Sequence, residues 1–201
     1  MIKNLVFDFG QVLVHFDPKY MTEQYVKNKE DAKLVEEVVF DRMYWDKLDL
    51  GTISDEEVLE ESYNRLPARL HEVAKEVYYN WIYNIPEIDG MRDLILYLKE
   101  TYDVPLYLLS NISKYFVEHK HEISILEEFD GCIFSSDYII AKPDRRIFEK
   151  LCDEFKILPE ETVFIDDNEN NVKGAISFGI DTFCFQGNVD ELKKWLDEKL
   201  K

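Results

Sequence analysis

Cysteine is sparse. Cys132, Cys152 and Cys184 are the only three in 201 residues, they lie far apart, and no two form a C-x-x-C pair. An odd, scattered set excludes a disulfide framework or a thiolate zinc site and points to a reducing compartment. Their neighbours are apolar, so buried, inert thiols are expected. Long apolar runs are also missing, which excludes a transmembrane helix. The N-terminus opens on strand-like Asn4-Leu5-Val6-Phe7 without the layout of a signal peptide, so a cytoplasmic location is expected. Positive charge is in short supply: 24 Lys and Arg face 42 Asp and Glu, a formal net charge of -18. Such a field repels a phosphate backbone or an anionic lipid surface, so neither nucleic acid nor membrane is an expected partner. A phosphorylated substrate would need a cation and local donors to overcome it.

Hydrophobic residues make up 46% of the chain, enough for a sizeable core. Ile2 to Phe9 is a short apolar run with one acid, Asp8, and suits a buried strand. Gly10 and the apolar Val12-Leu13-Val14 follow, and Asp17-Pro18 signals a helix start. The pattern is then helical to about Pro86. It includes a capping box at Ser54 to Glu57 and many aromatics suited to helix packing. Beyond Asp89-Gly90 strands and helices alternate. Met91 to Glu100 reads as a helix and Pro105 to Leu109 as a strand ending at Ser110-Asn111. Cys132 to Phe134 is a further strand, and Lys142-Pro143 opens a helix through Leu151. Thr162 to Ile165 is a strand ending at Asp166-Asp167, Asn171 to Phe178 a helix stopped by Gly179, Asp181 to Phe185 a last strand, and Val189 to Leu200 a last helix. The fold class expected is α/β: a Rossmann-like parallel sheet core with helices on both faces and an inserted all-helical cap. Residues 1–14 and 89–201 would form the core, and residues 15–88 the cap.

The polar residues fall at strand ends. Asp8, Ser110 and the pair Asp166 and Asp167 close three apolar strands. In an open parallel sheet such ends gather along one edge, where ligands bind. Carboxylates crowded there repel one another unless a cation lies between them. Hard oxygen donors of this kind suit magnesium together with a substrate phosphate.

Four segments, taken in order, resemble the motifs of the haloacid dehalogenase-like superfamily, over nearly the whole chain. They are Asp8-Phe9-Gly10-Gln11-Val12, Leu109-Ser110-Asn111, Lys142-Pro143 with Ile147-Phe148, and Phe164-Ile165-Asp166-Asp167-Asn168 with Asn171 and Ala175. The position of the helical block matches the subfamily with a small helical cap inserted after the first motif. The resemblance implies a magnesium-dependent phosphatase acting on a small phosphorylated metabolite. Asp8 would be the nucleophile, forming an aspartyl-phosphate. Ser110 and the Asn111 amide would hold phosphoryl oxygens. Lys142 would balance charge between Asp8 and the phosphate. Magnesium would be bound by Asp8, the Gly10 carbonyl and Asp167, with Asp166 binding through water or orienting the site. Asn111 and Asn171 are candidates for orienting these groups.

One position departs from the pattern. Phosphatases of this superfamily usually carry an aspartate two residues after the nucleophile as general acid and base; here it is Gly10. A positioned acid contributes about 10²–10⁴-fold. Three outcomes follow. The leaving group needs little protonation, as in an anomeric sugar phosphate or an acyl phosphate. Another acid substitutes, with Asp17, His15 or a cap residue as candidates. Or the chain is a catalytically weak phosphate-binding or regulatory protein. The Asp-x-Gly-x-Val variant with a compact cap resembles the bacterial alpha-glucose-1-phosphate phosphatase branch, which favours a sugar phosphate. A haloacid dehalogenase is the third reading, opposed by the tandem acids. Arg42, Tyr44, Trp45 and the Asp49-Leu50-Gly51 turn are candidates for the cap side of the pocket. The cap is expected to open and close about linkers near residues 15 and 88.

Overall fold

A computed structural model describes all 201 residues. Five strands, β1 (Asn4–Phe7), β2 (Leu106–Ser110), β3 (Gly131–Phe134), β4 (Thr162–Asp166) and β5 (Asp181–Cys184), form one all-parallel sheet in the order β3-β2-β1-β4-β5. Leu5, Val6 and Phe7 have no accessible surface, as a central strand covered on both faces requires. β1 is shorter than the apolar run suggests. The Asp8 amide still donates to the Ile165 carbonyl at 2.9 Å, but the chain then turns away, and Gln11 adopts a positive φ of 58°.

Eleven helices accompany the sheet. Between β1 and β2 lie α1 (Pro18–Glu23), α2 (Lys29–Val39), α3 (Arg42–Asp49), α4 (Asp55–Arg65), α5 (His71–Asn80) and α6 (Met91–Tyr102). Then come α7 (Lys114–His119), α8 (Ser135–Tyr138), α9 (Arg145–Phe155), α10 (Glu169–Phe178) and α11 (Val189–Leu200). The helix starts follow their caps. Asp17 accepts from the Tyr20 amide, and Ser54 and Glu57 complete the capping box. One start differs from expectation. Lys142-Pro143 lies in a loop, and α9 begins at Arg145 because the Asp144 carboxylate accepts from the Arg146 amide at 2.9 Å and caps it there.

One sheet face presents Leu5, Phe7, Leu106, Leu108, Val163 and Ile165 to apolar residues of α6 and α11; the other presents Val6, Leu109, Ile133 and Phe164 to α9 and α10. The larger of these cores continues without a break into α1 to α5. The chain enters and leaves that helical block side by side. The His15 amide donates to Pro86 and the Ile88 amide to Leu13, at 2.8 and 2.9 Å. A chain of rings, Phe9, Phe116, Trp81, Phe16 and Trp45, links sheet to block with centroids 4.8–5.9 Å apart. No helix is long and apolar enough to cross a membrane. The three cysteines are free but only partly buried, not enclosed as expected.

Candidate active site

Three strand ends converge because β1 sits between β2 and β4. Asp8 follows β1, Ser110 closes β2 and Asp166 closes β4, all buried. Carboxylate oxygens of Asp8, Asp166 and Asp167 lie within 4.8 Å of one another. The only cation in their midst is Lys142, whose side chain is 1% exposed. Its Nζ lies 2.8 Å from Asp8 Oδ1 and 2.7 Å from Asp166 Oδ2. Burial works against its charge, but Asp166 and Asp8 outweigh it and hold the ammonium protonated. Asp8 Oδ1 also accepts from the Phe9 amide at 2.7 Å, which leaves Oδ2 as the oxygen without a protein donor.

Two asparagines fix these groups. Asn111 bridges the Lys142 backbone, donating to its carbonyl at 3.0 Å and accepting from its amide at 2.8 Å. This clamp sets the loop that delivers the buried ammonium. Asn171, on the first turns of α10, donates to both Asp166 oxygens at 3.1 Å, and the Asn168 amide adds a contact at 2.8 Å. Asp166 is thus saturated by protein donors, while Asp167, half-buried, is not. The site carries excess negative charge even so. Burial pushes Asp8 up to about 7, Lys142 opposing and Asp166 reinforcing the shift. Burial and then Asp166 raise Asp167 as well. Crowded, hard oxygen donors whose charge one lysine does not balance fit a small dication.

A cavity of about 150 Å³ opens over Asp8. Asp8, Gly10, Ser110 and Asn111 form its floor; Phe16, Arg42, Trp45, Asp49 and Trp81 form its roof. Arg42 and Asp49 also border a second opening of about 260 Å³ beside Lys142 and Asn171. Of the residues expected on the helical side, Arg42, Trp45 and Asp49 line the cavity. Tyr44 does not: half-buried, it packs against the core away from the cavity, with Arg65 and Glu61 beside it. Gly51 serves a different contact, against the backbone of Ser136. His15 and Asp17 are exposed and line a separate surface groove, so neither stands over Asp8. Trp81 belongs to the aromatics read as helix packing, and Phe16 drew no reading of its own; no local pattern separates them from the other aromatics of the block.

A family model described as haloacid dehalogenase-like hydrolase matches residues 2–179. A D-ribitol-5-phosphate phosphatase of Bacteroides thetaiotaomicron is 28% identical over 199 residues, covering 94% of this chain and 95% of that protein. A phosphorylated carbohydrates phosphatase of Thermotoga maritima is 23% identical over 180 residues, 88% of this chain and 82% of that one. Among solved structures, an aspartate-to-alanine mutant of a HAD family enzyme from B. thetaiotaomicron, in complex with magnesium and inorganic phosphate, superposes with a TM-score of 0.72 at 21% identity, covering 96% of this chain and 99% of that one. With the matched model spanning most of the sheet and every strand end described above, this chain belongs to the haloacid dehalogenase-like hydrolases.

Proposed function

We propose that the protein is a magnesium-dependent phosphatase of small phosphomonoesters, sugar or polyol phosphates above all, with Asp8 as nucleophile. The observation that carries this reading is Asp8 held between Lys142 and the tandem acids beneath a small cavity. The free Oδ2 of Asp8 would attack phosphorus, expel the ester oxygen and leave an aspartyl-phosphate, which water then hydrolyses. Ser110 and the Asn111 amide would receive phosphoryl oxygens, and Lys142 would offset their charge. Asp8, Asp167 and the Gly10 carbonyl would hold magnesium, with Asp166 behind them. When bound, the ion supplies positive charge to the phosphate oxygens. The helices of residues 15–88 would act as a cap that closes over the substrate.

The two phosphatase relatives support a phosphorylated carbohydrate as the substrate class. So does the cavity, which falls below the ~300–1,000 Å³ typical of drug-sized ligands and leaves little room beyond a phosphate and a short chain. The tandem acids favour phosphate chemistry over dehalogenation, which uses an aspartate nucleophile but no metal. Para-nitrophenyl phosphate hydrolysis tests the reading. It is expected to require magnesium and to vanish in Asp8→Asn; substantial turnover in excess chelator would overturn it.

The metal assignment has a check that does not depend on turnover. Burial raises Asp8 above its unfolded value of 3.8, to about 7. The folded protein therefore binds the extra proton, and stability without metal falls as pH rises through that window. A cation must displace this proton. Magnesium is expected to raise the thermal midpoint more at pH 8 than at pH 5, and Asp8→Asn to shrink that difference.

A further inference from the structure

The phosphatase reading lacks a proton donor. The leaving oxygen needs one, and Gly10 occupies the position that usually supplies it. Asp166 is saturated by Lys142, Asn171 and the Asn168 amide. Asp167 belongs to the proposed cation site. Asp46 borders only the side opening and pairs with Arg42. Asp17 and His15 face another groove. Asp49 remains. It lines the cavity over Asp8 and the side opening as well.

Three features set Asp49 apart from an ordinary helix acid. It is the last residue of α3, where the negative end of the helix dipole disfavours a carboxylate. Its side chain has no hydrogen-bond or ion-pair partner, since Arg42, the cation on its own helix, is taken by Asp46. And its backbone is pinned: Ser135 Oγ donates to the Asp49 carbonyl while accepting from the Ile112 amide at 2.9 Å. One hydroxyl thus ties the end of α3 to the loop that follows Ser110 and Asn111. A carboxyl without a partner lines the cavity over Asp8, on a backbone anchored to the sheet side.

We infer that Asp49 is the general acid and base of this enzyme, supplied from the helical block in place of the residue missing at Gly10; the inference rests on the phosphatase reading. In the first step Asp8 forms its bond to phosphorus, the ester P–O bond breaks, and the leaving oxygen takes the Asp49 proton. The alcohol departs and Asp49 is left as a carboxylate. In the second step Asp49 takes a proton from water as the water oxygen attacks phosphorus. The P–O bond to Asp8 breaks, phosphate leaves, and both aspartates return to their starting states. The surroundings favour the protonated form needed at the outset. Burial pushes the Asp49 carboxyl up to about 8; Arg42 and Lys142 oppose this, and Asp46 and Asp8 reinforce it. Because the acid arrives with the helical block, proton transfer is available only when that block is docked, which couples chemistry to closure.

A series of aryl phosphates tests the role, from phenyl phosphate, a poor leaving group, to 2,4-dinitrophenyl phosphate, a good one. The variants are Asp49→Asn, Gly10→Asp and the two combined. Asp49→Asn is expected to slow phenyl phosphate by about 10²–10⁴-fold. With dinitrophenyl phosphate it should keep a rapid burst of about one equivalent of dinitrophenolate, followed by slow turnover, because only the second step then lacks its base. A Cβ at Gly10 would meet nothing closer than Phe16 Cβ at 3.9 Å, so a side chain can start there without a clash. The combined variant should regain phenyl phosphate hydrolysis. Equal losses across the series, or none, would overturn the inference, the former marking Asp49 as a binding or structural residue. Asp8→Asn serves as the separating control. If the wild type hydrolyses no member of the series and Asp8→Asn changes nothing, the phosphatase reading itself has failed.

Discussion

Lys142→Met is expected to unfold at markedly lower urea than the wild type and to lose at least about 10²–10³ of its phosphatase rate. The two effects share one cause. The Lys142 ammonium is the only cation touching Asp8 and Asp166, at 2.8 and 2.7 Å, and all three are buried. Removing one partner of a buried ion pair leaves uncompensated charge and costs about 3–5 kcal/mol, far more than an exposed pair is worth. The loss should depend on pH in a definite direction. Asp8 is already raised above its unfolded value, and without Lys142 it is raised further. A raised acid stabilises the fold while protonated, and that contribution is lost as pH rises through its folded value. The deficit of Lys142→Met should therefore be larger at pH 8 than at pH 5. Adding Asp8→Asn to the variant should recover part of it at pH 8. Urea midpoints at the two pH values decide the matter; a deficit independent of pH would mean lost packing, not unpaired charge.

Gly51→Ala is expected to impair catalysis without touching the catalytic groups. Gly51 follows α3 at a φ of +72°, and a Cβ there would lie 2.7 Å from the Ser136 carbonyl oxygen. The left-handed backbone alone costs a non-glycine residue about 1–2 kcal/mol. Neither party to the clash is a flexible side chain, so the α3 end must lift from α8. That displaces Asp49, Arg42 and Trp45 together. The expected result is a fall in kcat/KM of about tenfold to a hundredfold, from a loss of ~1.4–2.8 kcal/mol in the docked state. Proteolysis in the 86–88 linker should quicken as well. Wild-type kcat/KM in Gly51→Ala would show that this contact does not hold the roof in place. In contrast, an alanine at Gly187, where nothing lies within 4 Å, provides a control for backbone strain alone.

The strand ends were readable because a single acid or hydroxyl closing an apolar run is conspicuous: Asp8, Ser110 and Asp166 stand where the chain pattern placed them. Lys142 was not readable on its own. A lysine before proline has the look of a solvated helix start, and only resemblance to a motif singled it out. Its burial depends on the Asn111 clamp, a contact between residues 31 apart. The roof was harder still. Tyr44 and Trp45 are neighbours of similar character, yet Trp45 lines the cavity and the half-buried Tyr44 does not. α3 has barely two turns, so its rotation is set by what it packs against, not by its own periodicity. Asp49 carried one local hint, an acid at the C-terminal end of a helix. The cysteines went partly astray for a related reason. Apolar neighbours in sequence say little about edge position, and β3 and β5, which carry Cys132 and Cys184, are the two edges of the sheet.

The central place of β1 has a consequence for how the protein comes into being. The strand that leads to Asp8, the proposed nucleophile, is made first, but its two partners begin about 100 and 160 residues later. Lys142 and Asp166 both belong to the last third of the chain, and Asp166 comes well after Lys142. During translation at about 5–20 residues per second, roughly 8–30 s separate Asp8 from Asp166. The buried cluster of Asp8, Lys142 and Asp166 can therefore assemble only when β4 pairs beside β1, so the site proposed to act on phosphate esters is completed late in synthesis.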